Sequence, residues 1–84
     1  MKKEPLETVL KRIGLKLTEL RKKKGYTSYE TFASEHGVPR MQYWRMENGK
    51  INVTMKSLLR LLTIHKITVQ DFFNQLPKPP KNNR

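Results

Sequence analysis

Glycine and proline interrupt the helical period of this chain at Gly25, at Gly37-Val38-Pro39 and at Asn48-Gly49. Glycine frees the backbone from the right-handed helix, and proline removes an amide donor from it. Breakers this closely spaced forbid a long central helix. The chain must fold as short helices joined by tight turns.

Apolar spacing places those helices. Leu6, Val9, Leu10, Ile13, Leu17 and Leu20 recur at helical intervals and predict helix 1 over residues 6–23. Pro5 suits its first position, Lys22 to Lys24 suit the negative end of its dipole, and Gly25 ends it. Gly14, inside that helix, marks a close packing contact. Thr27 or Ser28 can cap helix 2 (about 28–36), where Tyr29, Phe32, Ala33 and His36 form one stripe. Pro39 fits the first position of helix 3 (about 39–47), which Asn48-Gly49 ends. Thr54 can cap helix 4, with Met55, Leu58, Leu59, Leu61 and Leu62 as its buried side. Thr68 with Asp71 resembles a capping box for helix 5, in which Val69, Phe72, Phe73 and Leu76 point inward. No segment reads as a strand, so the fold class is all-α, with five helices. The closing PKPPKNNR is Pro-rich, basic and free of apolar residues. It divides the chain into a domain over 1–76 and a disordered basic tail over 77–84.

Composition removes most function classes. With no cysteine in 84 residues there is no disulfide framework, thiolate zinc site or cysteine nucleophile. His36 and His65 stand apart, and no carboxylates cluster at ligand spacing, so neither a metal nor another cofactor is expected. His36 reads as an edge-of-core residue. Glu30, Glu35 and Asp71 read as caps and solvated charge, and Ser28, Ser34 and Ser57 lack a base with an orienting acid. An enzyme is the least supported class, and no catalytic residue is assigned. No apolar run approaches a membrane span and MKKEPLETVLKR is a poor signal peptide, which suits the cytoplasm and no membrane partner. The net charge of +11, from 18 Lys and Arg against 7 Asp and Glu, points to a polyanionic partner, nucleic acid first.

Helix 3 narrows that partner. At about 100° per residue, Tyr43 and Met46 share one side with Val38, while Arg40, Met41, Trp44, Arg45 and Asn48 share the other. The outward side is large, cationic and without an acid; Glu47 lies between the two. Helix 2, a glycine turn and helix 3 form a helix-turn-helix pattern, whose second helix enters the DNA major groove. Arg pairs bidentately with guanine, Gln does so with adenine, and Met41 or Trp44 can touch a thymine methyl.

LxELRKKKG (Leu17 to Gly25), FASEHGV (Phe32 to Val38) and MENGK (Met46 to Lys50), with the later LLRLL and ITVQDFF, carry a resemblance. From Ile13 to about Phe73 the chain resembles the XRE family of Cro and phage-repressor type helix-turn-helix regulators from bacteria. GYTSYETFASEHGV resembles its Bacteroidetes-like variant. The resemblance implies a five-helix, lambda-repressor-like domain and a small transcriptional regulator, expected to be a repressor, that binds double-stranded DNA as a homodimer. It implies base reading by Arg40, Met41, Gln42, Trp44 and Arg45, and phosphate contact by Ser28, Tyr29, Asn48 and Lys50. It implies a turn at Gly37, a small packing residue at Ala33, and an ion pair between Arg21 and Glu47 that fixes helix 1 against helix 3. The chain departs from the family pattern at Tyr29, where Gln is frequent, at Lys66, where Gly is frequent, and at the bulky Trp44. Surplus apolar surface among Phe72, Phe73 and Leu76, with Leu15 or Leu59, would form the dimer interface. Two alternatives remain open: an antitoxin-type module that also binds its own promoter and engages a protein partner, and charge-driven, non-specific nucleic-acid binding.

Overall fold

The computed structural model describes residues 3–79 and contains five helices: α1 (Leu6–Lys23), α2 (Tyr29–Glu35), α3 (Arg40–Glu47), α4 (Met55–His65) and α5 (Val69–Asn74). No strand occurs among the described residues, and no helix there is long and apolar enough to cross a membrane. The Ser28, Thr54 and Thr68 hydroxyls cap α2, α4 and α5, accepting from the amides of Thr31, Ser57 and Asp71 at 3.1–3.2 Å. These bonds satisfy amides that lack an intrahelical partner. Pro5 and Pro39 sit one position earlier than expected. Their ψ angles of 148° and 126° are extended, so each precedes its helix instead of opening it.

The core comprises Ile13 and Leu17 of α1, Phe32 and Ala33 of α2, Val38 of the turn, Tyr43 and Met46 of α3, Leu58, Leu61 and Leu62 of α4, and Phe72 of α5. Phe32 is its hub. Its ring lies 5.3 Å from Tyr26, 4.4 Å from His36, 5.1 Å from Tyr43 and 5.3 Å from His65, the last in parallel stacking. One aromatic ring therefore ties α2 to both α3 and α4, and each such pair adds about 0.5–1.5 kcal/mol beyond area burial. His36 is half-buried, with Nδ1 2.9 Å from the Phe32 carbonyl.

Four residues expected inside are outside. Met55 is 53% exposed, Leu59 44%, Phe73 38% and Val69 36%. Leu58, Leu61 and Leu62 already supply the three-residue stripe that α4 needs, and Phe72 fills the place under α5. Met55, Leu59, Val69 and Phe73, with Leu15 of α1, meet solvent in the single chain, while Ile64 packs against the core.

Pro77 is also held. Arg12 Nε of α1 donates to its carbonyl at 2.8 Å, so the packed chain extends to the first residue of the expected tail. Residues 80–84 of that tail lie outside the described residues.

Candidate nucleic-acid interface

The geometry of α3 is set from behind. Gly14 of α1 faces the last turn of α3 so closely that an added Cβ would overlap the Glu47 carbonyl and stand 2.8 Å from the Met46 carbonyl oxygen. No side chain but hydrogen allows this approach. Two helical turns on, Arg21 meets Glu47 in a bidentate pair, Nε to Oε2 at 2.7 Å and Nη2 to Oε1 at 3.1 Å. Arg21 Nη1 also donates to the Tyr26 carbonyl at 3.0 Å, which fastens the loop after α1. Both side chains are almost fully buried, at 7% and 6% exposure. The bond to Glu47 raises the Arg21 pKa further above its ordinary value, with burial opposing. The Tyr43 hydroxyl is buried beside this pair without a well-formed hydrogen bond, and burial, then Glu47, push its pKa up.

The turn between α2 and α3 is held from the other side. Gly37 adopts φ +67°, where side chains are disfavoured, and Val38 N bonds back to the Ala33 carbonyl at 2.8 Å. Arg60 of α4 donates from Nη2 to the Gly37 carbonyl at 2.6 Å and reaches the His36 carbonyl at 3.5 Å. A cation thus caps the negative end of α2. Sequence reasoning missed Arg60. Its targets are backbone carbonyls more than twenty residues away, which leave no mark in residue type.

On this frame Arg40, Met41 and Arg45 are exposed and Trp44 is half-buried, all on the outer side of α3. Tyr43 and Met46 are buried on its inner side. Gln42 departs from this group. It lies about 100° beyond Met41, and its side-chain amide points to Ser57 of α4, Nε2 to Oγ 3.4 Å. It is half-buried in a groove with Val38, Pro39 and Arg60, so the structure does not join it to the other four. At the end of α3, Asn48 Nδ2 donates to the Trp44 carbonyl at 2.8 Å, which leaves one amide hydrogen for an outside acceptor. Gly49, at φ +65°, turns the chain so that Lys50 is exposed close to Asn48. Ser28 and Tyr29, both half-buried, stand where α2 begins.

The chemistry of the surface follows. A helix end presents two guanidiniums and a flexible thioether beside an indole, with amide and ammonium donors at its exit and hydroxyls at the start of the preceding helix. Glu30 and Glu35 face Arg40 across a shallow groove between α2 and α3, and Tyr26 Oη donates to Glu35 at 2.7 Å. No group of three metal-ligating side chains occurs among the described residues. The surface has donors for phosphates and base edges.

Known proteins resemble the chain in sequence and in fold. No family model matches the chain. Over 67 residues it is 37% identical to control protein C.MunI of a Mycoplasma species, spanning 80% of this chain and 90% of that protein. It superposes on the restriction-modification controller protein C.AhdI of Aeromonas hydrophila with a TM-score of 0.67 at 35% identity, covering 77% of this chain and 97% of that one. It superposes on C.Esp1396I, solved as a nucleoprotein complex, with a TM-score of 0.67 at 23% identity over 88% and 91% of the two chains, a likeness of fold.

Proposed function

The chain belongs to the restriction-modification controller proteins, helix-turn-helix regulators of XRE type, and we propose that it regulates a restriction-modification operon by sequence-specific binding to double-stranded DNA. The observation that carries this reading is the acid-free outer face of α3, with Arg40, Met41 and Arg45 exposed on a helix held by Arg21–Glu47 and Gly14. Such a helix fits the major groove, where its first turns reach base edges. Arg40 and Arg45 read guanine, Met41 reads a pyrimidine methyl, and Trp44 packs beside them. Gln42 reads a base only after leaving Ser57. Ser28, Tyr29, Asn48 and Lys50 hold the phosphates on both sides, which sets register and carries no sequence information.

A second copy completes the binding unit. Leu59, Val69 and Phe73 on α4 and α5 form the apolar face of a homodimer, and a palindromic site then spaces two α3 helices by about one DNA turn, ~34 Å. The protein acts in the cytoplasm, as a repressor, without cofactor or catalytic step. The segment GYTSYETFASEHGV alone supports the Bacteroidetes-like variant.

The test is a fluorescence-anisotropy titration with the DNA upstream of its own gene and a scrambled duplex of equal length. Specific readout predicts a preference of ~10³-fold or more for the upstream DNA. Equal affinities for both duplexes defeat the reading.

A further inference from the structure

One arginine outside the interface gathers parts of the chain that lie far apart in sequence. Arg12 of α1 binds Glu4 through Nη1, at 2.8 and 2.7 Å to the two carboxylate oxygens, and binds the Pro77 carbonyl through Nε at 2.8 Å. It thereby fastens the chain before α1 and the chain after α5 to the same turn of one helix. Lys3 and Lys78, each next to a residue that Arg12 holds, are both exposed. Lys11, the neighbour of Arg12 on α1, is exposed as well. That turn abuts the loop leaving α3. Gly49 approaches α1 so closely that an added Cβ would stand 3.1 Å from the Lys11 backbone, and Lys50 follows Gly49.

Two sequence-distant ends and the exit of α3 thus meet at one corner, with Lys3, Lys11, Lys50 and Lys78 exposed around it. Three carboxylates stand near it. Glu4 is neutralised by Arg12, and Glu47, which shares a groove with Lys11, by Arg21. Glu7 lies in the first turn of α1, with no salt bridge to it among the described residues. Core packing does not call for four exposed lysines on these adjoining segments, and their like charge favours an anion beside them.

We propose that this corner is a second DNA-contacting surface, built by the Arg12 clasp, which grips the phosphate backbone flanking the sequence read by α3. The proposal rests on the DNA-binding reading above. It adds Lys3, Lys11 and Lys78 to the phosphate-holding set, and it makes Arg12 a positioning residue, since its own guanidinium is occupied by Glu4 and Pro77. The corner carries no base specificity. It lengthens the footprint and steepens the salt dependence.

The experiment compares the wild-type protein with Lys3→Gln/Lys11→Gln/Lys78→Gln and with Arg12→Gln, each checked for native helicity. Each titrates the upstream DNA trimmed to the base pairs whose substitution weakens binding, the same site extended by about one turn (~10 bp) at each end, and a scrambled duplex of the longer length. On the longer duplexes the triple variant is expected to lower the slope of log K against log salt by about 2–3, near 0.9 for each phosphate that it no longer neutralises. On the trimmed duplex the reduction should be small. Arg12→Gln should show part of the same reduction while Lys11 remains. A wild-type slope for the triple variant on the extended duplex overturns the proposal, as does an equal reduction on trimmed and extended DNA. A wild-type slope for Arg12→Gln overturns the clasp. Failure of the DNA-binding reading itself would show separately, as equal wild-type affinity for upstream and scrambled duplexes.

Discussion

Replacing Glu47 by Gln strands a buried cation. Arg21 is 7% exposed at its side chain and makes two of its three protein hydrogen bonds to Glu47, at 2.7 and 3.1 Å. The amide can accept one of these bonds but supplies no charge. Removing one partner of a buried pair costs about 3–5 kcal/mol, because the remaining charge has lost its compensation and cannot return to water. A domain of this size has about 5–10 kcal/mol in total, so the variant should lose about half of its stability. At about 4–8 °C per kcal/mol the melting temperature should fall by at least ~12 °C. The assay is urea unfolding followed by far-UV circular dichroism on wild type, Glu47→Gln, Arg21→Met and Arg21→Met/Glu47→Leu. Exchanging both partners for apolar residues of similar volume removes both desolvation costs, so the double variant should recover most of the loss. A single-variant cost below ~1 kcal/mol would refute the reasoning and put the pair among solvent-screened ion pairs. A double variant as unstable as the sum of the singles would refute it as well, because the two sites would then be energetically independent.

Gly14→Ala should destabilise by about 1–3 kcal/mol, because α1 must move off the α3 carbonyls, and the melting curve of the variant reads this directly. Arg40→Ala should cost about 1–3 kcal/mol against the upstream DNA and relax discrimination at one base position, whereas Lys50→Ala should weaken upstream and scrambled DNA alike; titration against single-base variants separates the two. Burial, with Lys24 and His36 adding to it, lowers the His65 pKa from 6.5 to about 4. Below pH 6.5 the unfolded chain therefore takes up a proton that the folded imidazole refuses until about pH 4. Stability should fall across that window by at most about 3 kcal/mol. His65→Leu should flatten the curve of unfolding free energy against pH.

The helices were legible because their signals are local. Ser28, Thr54 and Thr68 announce helix starts through their own hydroxyls, and Gly25, Gly37 and Gly49 announce ends through positive φ. The inner side of α3 was legible for a related reason: a helix with neighbours before and behind must bury one stripe, and Tyr43 with Met46 is the one that fits. The same logic failed on α4 and α5. Periodicity identifies apolar side chains, but it cannot say whether the surface that covers them belongs to the same molecule. Leu59, Val69 and Phe73 satisfy an inward pattern and still face solvent. The direction of Gln42 was illegible for a different reason. It sits where an outward and an inward side meet, and the hydroxyl of Ser57, fifteen residues on, decides which way its amide turns.

The least legible contacts are those made by long cationic side chains to backbone carbonyls. Arg60 holds the turn before α3, and Arg12 holds Pro77, 65 residues away. Any residue offers a carbonyl, so the target contributes no pattern, and an arginine on a half-exposed helix position reads as solvated charge. In a chain of +11 net charge this reading hides the structural cations among the others. The distinction matters for function. Arg12, Arg21 and Arg60 are engaged within the fold, whereas the Arg40 and Arg45 side chains make no hydrogen bond or salt bridge among the described residues. A cation already paired inside the protein gains little from a phosphate, because binding must first break its existing bonds. The free cations therefore bear on the proposed DNA surface more than total charge does, and Arg40 and Arg45 are two of them on the outer side of α3.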